Sequence, residues 1–252
     1  MGIKLAFSRP TADAEEQKLL FREFHKEGYD GLQLKSGQYA AFLEEPARFT
    51  AEWGELPGIA SALIAGGRLE EADIEQLRKV FSFAAHAGTE LIVYCHGIGR
   101  AEVTEADIRR YADVLSELGN EAQQQYGVKL SLHHHHNNPV MYREDFDIFF
   151  DRAREGSVGL TVDTAHLVKS GITDIAEVIR SFGHVIDNFH MKDFEQGEWR
   201  VLGQGAIDFG PVFGAIREIG YSGWISADEE SGGGVMEGMK TCYSYLRNGL
   251  KS

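Results

Sequence analysis

Four consecutive histidines, His133-His134-His135-His136, directly continue an apolar run that ends at Leu132. Further along come Asp163-Thr164-Ala165-His166, then His190-Met191-Lys192-Asp193, and finally Asp228-Glu229-Glu230. Imidazoles and carboxylates in this combination suit a divalent ion such as Mn²⁺, Zn²⁺, Co²⁺ or Fe²⁺, with water or substrate oxygens completing the shell. Each group has a plainer reading when taken alone. The histidine run could be a tag remnant, although tags sit at termini. Asp163 could cap a turn, Asp228 to Glu230 could be a solvated acidic patch, and Lys192 with Asp193 could be a surface ion pair of little energetic weight. All four groups end apolar runs of strand length, and that shared position favours one site.

The elements that must position them alternate along the whole chain. Strand-like runs fall at Ile3–Ser8, Gly31–Lys35, Ile59–Ile64, Glu90–Cys95, Val128–His133, Val158–Val162, Val185–His190 and Gly223–Asp228. Several are nearly continuous apolar runs, as parallel strands buried on both faces require. Amphipathic stretches at Ala12–Lys26, Ile74–Ala87, Ile108–Tyr126 and Phe213–Ile219 carry apolar residues at helical period. Gly28, Gly88, Gly127, Gly156 and Gly220 stand just before strands, where a left-handed residue closes a helix. Eight such units in a chain of this length predict a single-domain α/β fold over residues 1–252, a (β/α)₈ TIM barrel. A doubly wound sheet would carry a glycine-rich turn after its first strand, and here that turn reads Ser8-Arg9-Pro10-Thr11. In a barrel, chemistry belongs to the C-terminal ends of the strands, where these polar groups lie. Strand alternation puts His133 and His135 on one face and His134 and His136 on the other, so the latter two should matter less.

Composition narrows the partners. The net charge is −14, from 39 acidic and 25 basic side chains, which opposes nucleic acid and anionic membrane surfaces. Two cysteines, Cys95 and Cys242, are too few for a disulfide framework, and Cys95 reads as a small core residue. With no signal-peptide profile and no membrane-length apolar stretch, a soluble cytoplasmic protein is expected. Homo-oligomerisation is left open.

Asp163-Thr164-Ala165-His166 resembles the Asp-Thr-Gly-His of the sugar isomerase/epimerase barrels, the xylose-isomerase-like group. That group includes D-tagatose 3-epimerase, inosose dehydratase and 3-dehydroshikimate dehydratases. His190-Met191-Lys192-Asp193 is similar to its His-x-Lys-Asp, and Gly203-Gln204-Gly205-Ala206-Ile207-Asp208 to its Gly-x-Gly-x-Ile-Asp. Gly220-Tyr221-Ser222-Gly223-Trp224 resembles the lead into its last strand. The resemblance implies one divalent metal, Mn²⁺ foremost, held by Asp163 and His190 together with His133 and Asp228 at positions where the common members have Glu. In the epimerases those two Glu ligands also move the proton, so their replacement here supports the metal site better than epimerase chemistry.

The expected activity is proton removal beside a carbonyl on a sugar, keto-sugar or inosose-like polyol, leading to isomerisation, epimerisation or dehydration. Asp228, Glu230, His135 and Lys192 are the expected catalytic groups, with His166, Lys192, Gln33 and Arg9 binding substrate. Because a ligating His133 cannot serve as a base, dehydration is placed ahead of two-base epimerisation. Lys35 and Ser61 are further candidates for the pocket wall, and Trp53, Tyr39 and Phe42 for an apolar face to a sugar ring or a subunit contact. The alternatives are a non-catalytic sugar-binding barrel and an endonuclease IV-like phosphodiesterase, the latter disfavoured by the acidic charge.

Overall fold

Residues 2–251 are described by a computed structural model. Eight parallel strands close into a barrel: β1 (Lys4–Ser8), β2 (Gly31–Leu34), β3 (Ala62–Gly67), β4 (Leu91–His96), β5 (Lys129–His133), β6 (Gly159–Asp163), β7 (Ile186–Met191) and β10 (Trp224–Asp228). Two short antiparallel strands, β8 (Asp193–Glu195) and β9 (Glu198–Arg200), form a hairpin beyond β7. The expected (β/α)₈ barrel is therefore the fold. Strand three is displaced from its expected place. Ile59 and Ala60 are buried in the turn that Gly58 opens at φ +74, and pairing with β4 begins at Ala62.

The strands obey a period of two. On β7, Phe189 is fully buried and meets the Tyr221 ring at 4.9 Å outside the barrel. Asn188 and His190, one residue to either side, carry their polar groups into the barrel to meet Gln33. The helices pack their apolar stripes outside. Glu71–Ala87 buries Leu77, Val80, Phe81, Phe83 and Ala84, and it closes at Gly88, whose φ of 71 suits glycine alone at no steric cost. Inside the barrel, Ala62, Leu91 and Val93 form a small apolar cluster apart from the main core. The rest of the lumen is polar, with Gln33, Ser131, Thr161 and Asn188 all fully buried and hydrogen-bonded to one another.

Four residues fall outside the expected roles. Tyr39, Phe42 and Trp53 are buried in the core, packed on Phe83, Phe49 and Phe21 respectively, so they give neither a sugar-facing wall nor an exposed contact face. Ser61 is spent on the Leu32 carbonyl at 2.7 Å. Among the described residues, no helix is long and apolar enough to cross a membrane.

Candidate metal centre

Three strand ends bring His133, Asp163 and His190 together, with their ligand atoms all within 4.8 Å of one another. Asp163 terminates β6 and caps the helix Thr164–Lys169, its Oδ1 accepting the His166 N–H at 2.9 Å. The cap thus uses one oxygen and leaves the other to the candidate site. Oδ2 is left facing His133 Nε2 at 3.4 Å and His190 Nδ1 at 4.0 Å. None of these three buried atoms has a hydrogen-bond partner. Buried polar atoms are rarely orphaned, and three converging on one point imply a ligand of their own. Two donors about 2.0–2.2 Å from one ion at tetrahedral angles lie roughly 3.3–3.6 Å apart, so the 3.4 Å edge fits and the 4.0 Å edge is slightly open. The residues therefore fit a divalent ion.

Their other ring atoms are held from behind. His133 Nδ1 lies 3.0 Å from Cys95 Sγ, and His190 Nε2 lies 2.8 Å from Gln33 Oε1. Backing of this kind selects the tautomer and orientation of a ligating imidazole. Burial pushes the His190 imidazole down to about 3, which keeps it neutral and able to ligate. Gln33 was expected to bind substrate. Its amide is wholly engaged by His190 and Asn188, so it supports a ligand instead.

Asp228, the expected fourth ligand, stands apart from this group. Its Oδ1 accepts from Lys35 Nζ at 2.7 Å and its Oδ2 from Lys192 Nζ at 3.1 Å. Glu230 accepts from the same two lysines, Lys35 at 2.8 Å and Lys192 closer still. Two cations and two carboxylates thus form one compact group beside the three orphaned atoms. Burial would lower the Lys192 ammonium, but Asp228, Asp163 and Glu230 together raise it above the ordinary lysine range. Lys35 behaves alike, with Asp228 and Glu230 outweighing its burial. Arg9, expected to bind substrate, is engaged elsewhere. It donates to Glu229 at 3.0 Å and to the Gly233 carbonyl at 3.1 Å, bracing the loop after β10.

The histidine run divides further than alternation suggests. His134 is fully buried, and its Nε2 accepts the Asp163 backbone N–H at 2.9 Å. Its burial holds it down near 3, neutral as an acceptor must be. The His135 ring lies tilted against His166 with centroids 3.6 Å apart, and burial pushes His166 down to about 2. Two neutral imidazoles can approach so closely where two cations would repel. His136 is half-buried, and its Nδ1 lies 3.4 Å from Ser170 Oγ.

The β8–β9 hairpin covers this corner. Trp199 packs on His166 with centroids 4.9 Å apart, while Lys192 Nζ lies 4.5 Å from the Trp199 ring. The hairpin is fastened by Asp193, which is fully buried and accepts the backbone N–H groups of Phe194, Gly203, Gly205 and Ile207. That geometry explains Gly203-Gln204-Gly205. A Cβ on Gly205 would fall 2.3 Å from Asp193 Oδ1, and one on Gly203 2.4 Å from the Tyr245 ring. Asp193 is an anchor, and the surface ion pair with Lys192 is set aside.

Comparison with known proteins agrees with the barrel fold. The family profile described as xylose isomerase-like TIM barrel matches residues 21–245. The chain is 30% identical over 151 residues to an inosose dehydratase of Clostridium beijerinckii, an alignment covering 52% of this chain and 50% of that protein. It thus spans about half the length of the curated relatives it matches. Among solved structures, an IolI protein with a bound zinc atom superposes with a TM-score of 0.80 at 22% identity, covering 98% of both chains. L-ribulose 3-epimerase gives 0.82 at 18% identity, covering 100% of this chain and 95% of that one. At such identities these two likenesses speak for the fold. With the profile covering nearly the whole barrel, the chain belongs to the xylose isomerase-like TIM barrel family.

Proposed function

We propose that this chain is a divalent-metal-dependent lyase or isomerase that removes a proton beside a carbonyl on a keto-sugar or inosose-like polyol. The observation that carries the reading is the convergence of three buried, unpartnered donor atoms on His133, Asp163 and His190, beside a lysine–carboxylate group. The inosose dehydratase likeness over half the chain supports the substrate class, and the zinc-holding structural neighbour supports a metal in this barrel. Mn²⁺, Zn²⁺, Co²⁺ and Fe²⁺ all suit a His, Asp, His donor set.

The metal would be held by His133, Asp163 and His190, and it would supply Lewis-acid polarisation of a substrate carbonyl. Glu230 is the base. It is partly exposed at the mouth, where a substrate C–H can reach it, whereas Asp228 is buried beneath it. Lys192 stands within hydrogen-bonding distance of both carboxylates, where its charge offsets a developing enediolate oxyanion. His135 and His166 contribute neutral nitrogen donors and acceptors for hydroxyls, and Trp199 excludes water from their side. The carboxylates come from the β10 end and the imidazoles from β5 and β6. That asymmetry favours one-base exchange followed by loss of a β-hydroxyl, with Glu230 passing the proton it has taken from carbon to the leaving oxygen so that water departs.

The test is a screen of inososes, keto-sugars and ketoses for solvent deuterium uptake at carbon with Mn²⁺ or Zn²⁺ present. Metal-dependent exchange accompanied by a dehydrated product is expected. Binding of the same compounds without any exchange would reduce the chain to a sugar-binding barrel. Rapid epimerisation without dehydration would overturn the dehydratase preference.

A further inference from the structure

An unbroken line of polar side chains runs down the barrel lumen from His190 to its opposite mouth. His190 Nε2 meets Gln33 Oε1 at 2.8 Å, and Gln33 and Asn188 pair reciprocally through their amides at 2.8 and 3.1 Å. Asn188 Nδ2 donates to Thr161 Oγ1 at 3.4 Å, Thr161 Oγ1 meets Ser131 Oγ at 2.7 Å, and Ser131 Oγ donates to Asp187 Oδ1 at 2.7 Å. Gln33, Asn188, Thr161 and Ser131 are fully buried, so each must find its partners within the line. Asp187 ends it at the rim of a cavity of about 610 Å³ that is also bordered by Lys129, Arg154 and His184. Room has been left for this carboxylate, since a Cβ on Gly159 would fall 2.0 Å from its Oδ2.

Such a line has only two self-consistent directions. If Asp187 is ionised it can only accept. Ser131 then donates to it, Thr161 donates to Ser131, and Asn188 presents its NH₂ to Thr161. The reciprocal amide pair then turns Gln33 Oε1 toward His190, which must carry its proton on Nε2. Nδ1, the atom facing Asp163, is left bare. If the end were a donor instead, both amides would turn over. Gln33 would present its NH₂ to Nε2, and His190 would carry its proton on Nδ1, where it blocks ligation.

We infer that Asp187 is a positioning residue that acts through Ser131, Thr161, Asn188 and Gln33 to hold His190 in the Nε2–H tautomer. Its consequence for metal affinity rests on the reading of His190 as a ligand, whereas the tautomer itself does not. Burial pushes the Asp187 carboxyl up to about 7 against the opposing pull of Ser131 and Lys129, so the end of the line can change from acceptor to donor near neutrality. The groups facing it are Lys129 from β5, Tyr221 from the turn before β10, and His184, Arg154 and Glu155 around the cavity. Acidification through that range therefore loosens the metal from the far end of the barrel.

The experiment is ¹⁵N NMR of the His190 ring in metal-free protein, paired with Co²⁺ titration. The wild type should show Nε2–H at alkaline pH and gain Nδ1–H as pH falls. Asp187→Asn, no longer an obligatory acceptor, should show both tautomers at alkaline pH and bind Co²⁺ about tenfold more weakly. Ser131→Ala cuts the same line and should do likewise if Asp187→Asn fails to fold. Lys129→Gln removes a charge that favours ionised Asp187, so the switch should move to higher pH, a shift that loss of mere structural support would not produce. Nδ1–H in the wild type at alkaline pH, or an unchanged Nε2–H tautomer in both line-cutting variants, would overturn the inference. A changed tautomer with unchanged Co²⁺ affinity supports the positioning role and removes His190 from the ligand set.

Discussion

Cys95 Sγ lies 3.0 Å from His133 Nδ1, and this contact leaves Nε2 as the ring nitrogen turned toward Asp163. A thiol read from sequence as a small core residue is thus the backing of a candidate ligand. Cys95→Val fills the space but offers His133 no partner, and should weaken metal binding about tenfold. Cys95→Ser keeps a polar partner and should stay close to wild type. Competition for the metal against a chelator checks both, and equal loss in the two variants would show that only packing matters.

Asp163 splits its roles between two oxygens, and two substitutions can separate them. Asp163→Asn keeps an oxygen that can cap His166 N–H but loses the carboxylate charge. Asp163→Ala loses both. Neither should retain metal, yet only the alanine variant should lose about 1 kcal/mol in the metal-free protein, the usual worth of a helix cap. Metal analysis with denaturant unfolding of stripped samples decides this, and full metal occupancy in Asp163→Ala would sink the site.

Asp228 and Glu230 share two lysines, so neither can be altered without disturbing their charge. Both Asp228→Asn and Glu230→Gln should keep metal, and Glu230→Gln should lose turnover by about 100-fold or more. In Asp228→Asn the largest influence raising Lys192 disappears, while the burial that lowers it remains. Lys192 should then lose its proton at lower pH. The alkaline limb of the activity profile should move down, and an unmoved limb would mean that Lys192 takes no part.

How far the sequence revealed this site depends on the reach of each cue. His133, Asp163 and His190 were legible because each ends an apolar strand, and a barrel gathers such ends. The hairpin over the site was not, since Asp193–Glu195 and Glu198–Arg200 are too short to show a period. Its sole cue is the turn at Gln196 and Gly197, both at positive φ. Strand three was misplaced because Ala62–Gly67 ends in two glycines, whereas Ile59-Ala60 is apolar. At Gly66 the Cys95 carbonyl would sit 2.9 Å from a Cβ, a close approach that no propensity scale registers. The pairing of Asp228 with Lys35 joins opposite ends of the chain, so alternation could say which way Asp228 faces but not which partner it meets there.

The histidine run gives the sharpest division among neighbouring residues. Alternation expects His134 and His136 to be mild, yet His134 accepts the buried Asp163 N–H and so holds the backbone of a candidate ligand in place. His134→Ala leaves that N–H unsatisfied, a cost of about 1–3 kcal/mol, and frees Asp163 to move. It should lower both unfolding stability and metal occupancy. His133→Ala should lose the metal outright. His135→Ala removes the ring packed against His166 without touching the orphaned atoms, so it should keep the metal and lose turnover. His136→Ala should change little, because that side chain is half-buried with one long contact to Ser170. Metal content, unfolding midpoint and deuterium exchange on the four variants separate these outcomes. Normal stability and full metal in His134→Ala would show that its contact with Asp163 supports nothing.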